Sequence, residues 1–482
     1  MLMLVSSPAL ASNDELIIEG SGWGHGIGMS QYGAYGRALA GHSAADIIEA
    51  YYTGATVGAL GGGGVPNVSS IFTNVGSDVT SVVVRISYQV AGDDSGTEMS
   101  RSDGQGGVES ASIIPPVDGV VSAVIVDSNP NGDGGCSVTG VVTWAAGSCD
   151  ISFSMGGLAA PDNLMTLDPC RGTDCTFGYG AAIHLVDNSS LLATGGKRVS
   201  VDTSCNNPPC DGFDLVVEST LDEYTYGIDE MPFSWGIDGA AALEAQAIAA
   251  RSYAAAFAES KNHEAKGCYC DVYNDTRDQN YDGWISGQTG YVFWEAAVTV
   301  TANRIVTHPG DSIIAAYYSS ANGGRSMNNE DYWSSSAIAW LRSVEDPFTL
   351  DPATGNPNIS WQYTKSTGVF ESRLGFDEVY EVRITQTYDS GSPSRVAVTG
   401  RKSGATVTID TYAGSPIDGV LLKNWFGLKS AYVTGFSGDL PEPPPVTDID
   451  RWWGANRYNT AVEISKENFP SGADSVVIAT CL

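Results

Sequence analysis

The stretch YTYGIDEMPFSWGIDGAAALEAQAIAARSYA, Tyr224–Ala254, joins an acidic turn to the clearest helix in the chain. Leu243, Ala247, Ala250, Ala254 and Phe257 recur at helical spacing, and Asp238 is placed to cap the helix. The apolar face is mostly alanine, so whatever packs on it comes close. In the turn, Asp229 and Glu230 precede Met231, Pro232, Phe233 and Trp235. A carboxylate among such neighbours loses hydration, which raises its pKa toward neutrality and lets it act as a general acid. Glu230 is therefore a candidate acid. The competing reading is that it only interacts with the helix N-terminus or a nearby arginine.

Working outward, residues 197–436 have a mixed α/β texture, and 482 residues is too long for one ordinary core. Residues 61–190 run instead in short alternating stretches, such as VTSVVVRISYQVAG and GVVSAVIVDS, between long polar loops. That predicts a β-rich inserted module within an α+β protein. Residues 20–57 hold the glycine-rich opening GSGWGHGIGMSQYGAYGRALAG, Gly20–Gly41, and then SAADIIEAYYTG, where Ser43 can cap a helix carrying Ile47, Ile48, Tyr51 and Tyr52. The proline-rich run 437–450 reads as a semi-rigid spacer. Residues 451–482 read as a loop, an amphipathic helix and the start of an apolar strand, an incomplete α/β unit too short to close a core.

Lys and Arg number 24 against 56 Asp and Glu, and the net charge of -32 disfavours nucleic acid and anionic membranes as partners. No apolar run is long enough for a transmembrane segment. The opening MLMLVSSPALASNDE reads as the apolar end of a secretory signal, residues 1–11, with a small-x-small site at Ala9-Leu10-Ala11 but no basic region. The cysteines fall in close pairs, Cys136/Cys149, Cys170/Cys175, Cys205/Cys210 and Cys268/Cys270, with Cys481 left over. Such spacing fits disulfides in an oxidising, extracellular compartment, although cysteines two apart are poorly placed for standard disulfide geometry.

The Glu-Met-Pro turn and the following Ala-Gln-Ala-x-Ala-Ala-Arg-x-Tyr helix resemble the SpoIID/LytB (stage II sporulation protein D) family. DVYNDTRDQNYDGW, AVTVTANRIVTHPGDSIIAAYYSSANGGRS, AWLRSVEDPF and LLKNWFGLKSAYVTGF continue the resemblance from about Val199 to Phe436. It implies a secreted, wall-associated lytic transglycosylase acting on peptidoglycan glycan strands, with Glu230 as its catalytic acid. Gln246 and Arg251 match helix positions of the family, either touching sugar or bonding nearby backbone. Tyr317, Ser319, Ser320, Asn322 and Arg325 offer a polar wall for a sugar cleft. Asp229 reads as structural and Glu244 as solvent-facing. The LytB branch is linked to enhancing cell-wall amidases, so a non-catalytic glycan-binding enhancer is a rival reading, and a wall-anchored adhesion protein is another. RWWGANRYNTAVEISKENFPSGADSVVIAT is similar to the opening of cell-wall-binding repeat 2, which implies attachment to wall polymers.

No cofactor is required for this chemistry. Some family members carry a structural zinc held by Cys and His, and His263, Cys268 and Cys270 could supply three ligands, though Asp278 stands before Gln279 where the family often has cysteine. Asp127, Asn129, Asn131 and Asp133 have the rhythm of half a calcium loop, as does DQNYDG, Asp278–Gly283; polar turns are the competing reading of both. The family carries a segment like GWGHGIGMSQ after its core, whereas here it comes first. That implies a permuted arrangement in which Gly20–Val57 folds back to complete the catalytic domain, with His25, Ser30 and Gln31 as candidate glycan contacts opposite Glu230. A separate loop module is the alternative.

Overall fold

The computed structural model describes residues 15–79 apart from 69, the strands between 81 and 219, and 220–443 apart from 262–269, 284–288 and 310–312; the side chains of 74–216 and of residues at the edges of these gaps lie outside the description. The signal-like start, the calcium candidates Asp127, Asn129, Asn131 and Asp133, the repeat-like tail and the second half of the spacer fall outside the described residues or side chains. The class is α+β.

Five helices make the first core: α1 (Gln31–Leu39), α2 (Ala44–Tyr51), α3 (Leu221–Tyr226), α4 (Gly236–Lys261) and α5 (Tyr291–Val300). The other four all pack on α4. Ala242, Ala245, Ala247, Ala249, Ala250, Ala254 and Ala255 are buried along it, so methyl groups face neighbours on several sides and a helix hemmed in this way fits. Gly239 breaks the first turn of α4 (φ -132°, ψ 42°), and the Tyr35 ring of α1 occupies the space a Cβ there would need. Asp238 thus sits ahead of a break rather than capping one continuous helix, and Glu244 is half-buried rather than solvent-facing. Ser43 does cap α2: the Asp46 N–H donates to its Oγ at 3.2 Å, and the Ser43 N–H donates to Asp46 Oδ2 at 3.0 Å.

A second core lies between the two ends of the described chain. Glu15–Gly20 is the middle strand of an antiparallel three-stranded sheet, with Ile18 opposite Tyr363 on one side and Phe436 on the other. Leu16 and Ile18 pack there with Trp361, Phe370, Leu422, Phe426 and Val433. The hairpin strands Glu378–Thr387 and Pro393–Lys402 add Val379, Val396 and Val398 to the same core. Two further antiparallel pairings tie early residues to late ones: Ile71–Val79 pairs with Phe213–Ser219, and Thr56–Ala59 with Arg304–Thr307.

The glycine-rich opening lies against Tyr317–Gly324. Met29–Ser30 pairs in parallel with Tyr318–Ser319, and Trp23 bridges Ala321. Gly22, Gly24, Gly26 and Gly28 all have positive φ. At Gly28 a side chain would be strained twice, since φ is +67° and a Cβ would collide with the Tyr317 carbonyl. The alternating glycines let this loop lie backbone to backbone on the neighbouring strand.

Arg251 of α4 is fully buried and joins three elements. Its Nε donates to Asp222 Oδ1 at 2.8 Å, and its Nη1 donates to the carbonyls of Thr301 at 2.9 Å and Arg304 at 3.1 Å. Removing it leaves these buried carbonyls without their donor, while Asp222 keeps access to water, so Arg251→Met should destabilise the protein by roughly 2 kcal/mol in urea denaturation. Arg383→Met, which breaks only the exposed pair with Glu381, should cost less than about 1 kcal/mol.

Candidate active site

Helix α3 delivers the chain to the acidic turn. Thr220 and Glu223 form its capping box, and it ends at Gly227, where a Cβ would strike the Tyr281 ring. Beyond it Met231 and Phe233 are buried, and Phe233 stacks on Trp294 with centroids 5.9 Å apart. Glu230 is fixed between these anchors and is itself half-buried. Its Oε1 accepts the Asn280 N–H at 2.6 Å. Burial raises the Glu230 pKa to about 7; the Asn280 bond opposes the shift, and the neighbouring charges of Asp229 and Asp282 reinforce it.

The segment Asp278–Asp282 straps the turn in place, each residue holding a different part of the site. Asp278 accepts the Tyr253 hydroxyl at 2.7 Å and the Tyr273 N–H at 2.9 Å. Gln279 accepts the Tyr224 hydroxyl at 2.8 Å, and its Nε2 donates to the Tyr318 hydroxyl at 2.7 Å. The Asn280 side chain donates to the Asp229 carbonyl at 3.0 Å, and the Asp229 N–H donates to the Asn280 carbonyl at 3.1 Å. Tyr281 stacks on Tyr224 with centroids 5.1 Å apart. Tyr224 is fully buried, so its proton needs the Gln279 oxygen; this orients the amide and leaves the Tyr318 hydroxyl accepting from Gln279 with its own proton to give. The Glu230 charge helps raise the Tyr318 pKa, after burial, which places the two side chains within electrostatic reach. DQNYDG is thus a bracing strap. Among the described residues no group of three or more His, Cys, Asp or Glu is arranged to hold a metal ion.

The residues expected to touch substrate divide into two sets. Ser30, Gln31, Gln246, Arg251, Ser319 and Asn322 are buried, and their polar atoms are turned inward. Ser30 caps α1 by accepting the Gly33 N–H at 3.1 Å and lies 3.0 Å from Thr349 Oγ1. Gln31 Nε2 donates weakly to Gln246 Oε1 at 3.5 Å, Ser319 Oγ accepts the Gly26 N–H at 3.2 Å, and Asn322 donates to Asp346 at 3.0 Å. These six serve packing and hydrogen bonds within the protein, and none is more than 8% exposed. Tyr317, Ser320 and Arg325 remain half-exposed, Arg325 reaching Glu345 at 3.1 Å.

His25 is half-buried against Tyr317, Tyr332 and Trp333. Its Nδ1 accepts the Ile27 N–H at 2.9 Å, and the ring also hydrogen-bonds the Tyr318 backbone. Burial lowers its pKa to about 4, so the imidazole is neutral at neutral pH and both nitrogens serve the loop. The zinc set does not fit either. Cys270 is buried and disulfide-bonded, so its sulfur is not a free thiolate; His263 and Cys268 lie outside the described residues.

Residues 211–308, which contain the turn, the strap and helices α3 to α5, match the SpoIID family, described as "Stage II sporulation protein". This part of the chain is similar to the SpoIID family. It is 28% identical over 221 residues to Stage II sporulation protein D of Bacillus subtilis (strain 168), covering 44% of this chain and 59% of that one. The protein of the same name from Bacillus amyloliquefaciens is 28% identical over 222 residues, covering 44% and 58%. The match thus spans less than two thirds of either relative. A 40-residue stretch is 60% identical to the Amidase enhancer of Bacillus subtilis (strain 168), covering 8% of this chain and 6% of that one. No solved structure matches. Among the described residues, no helix is long and apolar enough to cross a membrane.

The Glu230 environment predicts a pH signature in stability. Its folded-state pKa of about 7 lies above the ordinary 4.5, so the fold holds this proton more tightly than the unfolded chain does, and its contribution falls as pH rises through that interval. Glu230→Gln should therefore raise the melting temperature at pH 8 and leave it nearly unchanged at pH 4. Equal shifts at both values would contradict the assigned burial.

Proposed function

We propose that this protein is a peptidoglycan lytic transglycosylase in which Glu230 is the single general acid and base. The observation that carries the reading is the half-buried Glu230 carboxyl group, held near pKa 7 beside acidic neighbours and one backbone donor. In the first half of the reaction the protonated Glu230 gives its proton to the oxygen linking N-acetylmuramic acid to N-acetylglucosamine. The C1–O bond breaks with its electron pair on the departing oxygen. Glu230, now a carboxylate, takes the proton of the muramic C6 hydroxyl as that oxygen bonds to C1. The product is a 1,6-anhydro sugar, no water is consumed, and the enzyme returns protonated. One carboxylate suffices because the nucleophile belongs to the substrate, whereas ordinary glycosidases employ two. Gln279 and Asn280 act as positioning residues, the first through Tyr318 and the second on Glu230 itself. In this reading Gly20–Val57 is part of the catalytic domain, supported by its pairing with Tyr318–Ser319 and its packing on α4.

A second reading has its own observation. The short match to the Amidase enhancer supports a protein that binds glycan and assists a wall amidase without cutting the strand itself. Mass spectrometry of glycan strands freed of stem peptides separates the two. Under the first reading wild type yields products lighter by one water than hydrolysis would give, and Glu230→Gln yields none. Equal behaviour of the two proteins would refute catalysis by Glu230. The reaction begins from the protonated acid, so kcat/KM should fall about tenfold per pH unit once the pH is well above about 7. A rate still climbing at pH 9 would exclude this assignment.

A further inference from the structure

The acidic turn and the strap meet as a fragment of antiparallel ladder, with Ile228 opposite Tyr281. On one side of that pair the Asp282 N–H donates to the Gly227 carbonyl at 2.9 Å, and on the other the Asp229 N–H donates to the Asn280 carbonyl at 3.1 Å. Asp229 and Asn280 therefore stand opposite one another, at a position where two residues of a regular ladder exchange both backbone bonds. Here only one of the two is made. The Asn280 N–H, which would return the bond to the Asp229 carbonyl, donates instead to Glu230 Oε1 at 2.6 Å.

The Asp229 carbonyl still receives a proton from the same residue. Asn280 Nδ2 donates to it at 3.0 Å, so the side-chain amide takes the place that its own backbone N–H has given up. The same Nδ2 donates to Asp282 Oδ2 at 3.3 Å. Both partners are acceptors, which fixes the amide with its nitrogen toward them and gives each one proton. Any residue but proline at this position would supply a backbone N–H. What asparagine adds is a second donor, within reach of the opposing carbonyl.

We propose that the Asn280 side chain is a positioning residue that directs its own backbone N–H: with the amide on the Asp229 carbonyl the N–H serves Glu230, and without the amide the N–H closes the ladder on Asp229. The inference deepens the reading of Glu230 as acid and base, and its meaning for catalysis rests on that reading. Glu230 has to exist in both protonation states within one turnover, and a donor on Oε1 favours the carboxylate. Taking the donor away leaves burial and the charges of Asp229 and Asp282, all of which favour the proton. The other titratable groups that face Glu230 are the Tyr224 phenol of α3 and the Tyr318 phenol, and burial keeps both protonated.

The test compares the full chain with Asn280→Ala and Asn280→Val, each with and without Glu230→Gln. Valine favours extended backbone, so it removes the amide while keeping the strap's conformation. The first readout needs no activity: it is the change in melting temperature that Glu230→Gln produces, followed from pH 4 to pH 10. In the wild-type background this change should level off above about pH 7, and in the Asn280 variants about one pH unit higher, as expected for the loss of a hydrogen bond to a charged group. A strap that merely loosens would let water reach Glu230 and move the interval the other way, toward lower pH. The second readout is anhydro-product formation, where kcat/KM of the variants should be lower at pH 6 and its decline at high pH should begin about one unit later. An interval that stays in place or moves to lower pH in both variants overturns the proposal. The absence of anhydro products from the wild-type chain, with the stability interval displaced upward as expected, overturns the catalytic reading and leaves the role of Asn280 standing.

Discussion

The site depends on one hydrogen bond between the Asn280 backbone and Glu230, made in surroundings that otherwise disfavour a charge. A carboxylate beside Met231 and Phe233 is poorly hydrated, and an arginine partner would resolve this by driving the pKa down. A single peptide N–H at 2.6 Å satisfies the oxygen while opposing the shift only in part. The charges that act on Glu230, those of Asp229 and Asp282, are acidic. Arg251, on the helix that follows the turn, is committed to Asp222 and to carbonyls beyond α5.

The strap is held by partners distant in sequence, and this couples the site to both parts of the domain. Gln279 links Tyr224 of α3 to Tyr318, and Tyr318 lies in the strand paired with Met29–Ser30. A shift of the glycine-rich loop would move that strand, and the strand carries the Tyr318 hydroxyl. The alternating positive-φ glycines have their physical reason here. Only residues without a Cβ let the loop lie close enough to the Tyr317 carbonyl and the Ser319 side chain to fix the strand's position.

Much of this was legible in the sequence where the cause is local. The alanine periodicity announced α4, Ser43 announced the start of α2, and the apolar neighbours of Glu230 announced its desolvation. What was not legible depends on long-range partners. DQNYDG reads as a polar turn because nothing adjacent shows that Gln279 reaches Tyr224 and Tyr318, or that Asn280 reaches Glu230. Ser30, Asn322 and Arg251 invite a sugar-binding role because exposed polar residues are common, yet here each satisfies buried groups. The core built by Leu16 and Ile18 with Trp361 and Phe426 has no short-range signature, since its strands come from opposite ends of the described chain.

The overall charge of -32 would repel an anionic glycan if it acted as a distant field. At physiological salt the screening length is about 8 Å, so charges far from the site contribute little and the nearest groups decide. Near Glu230 those groups are Asp229 and Asp282, which favour a protonated acid and disfavour a substrate carboxylate.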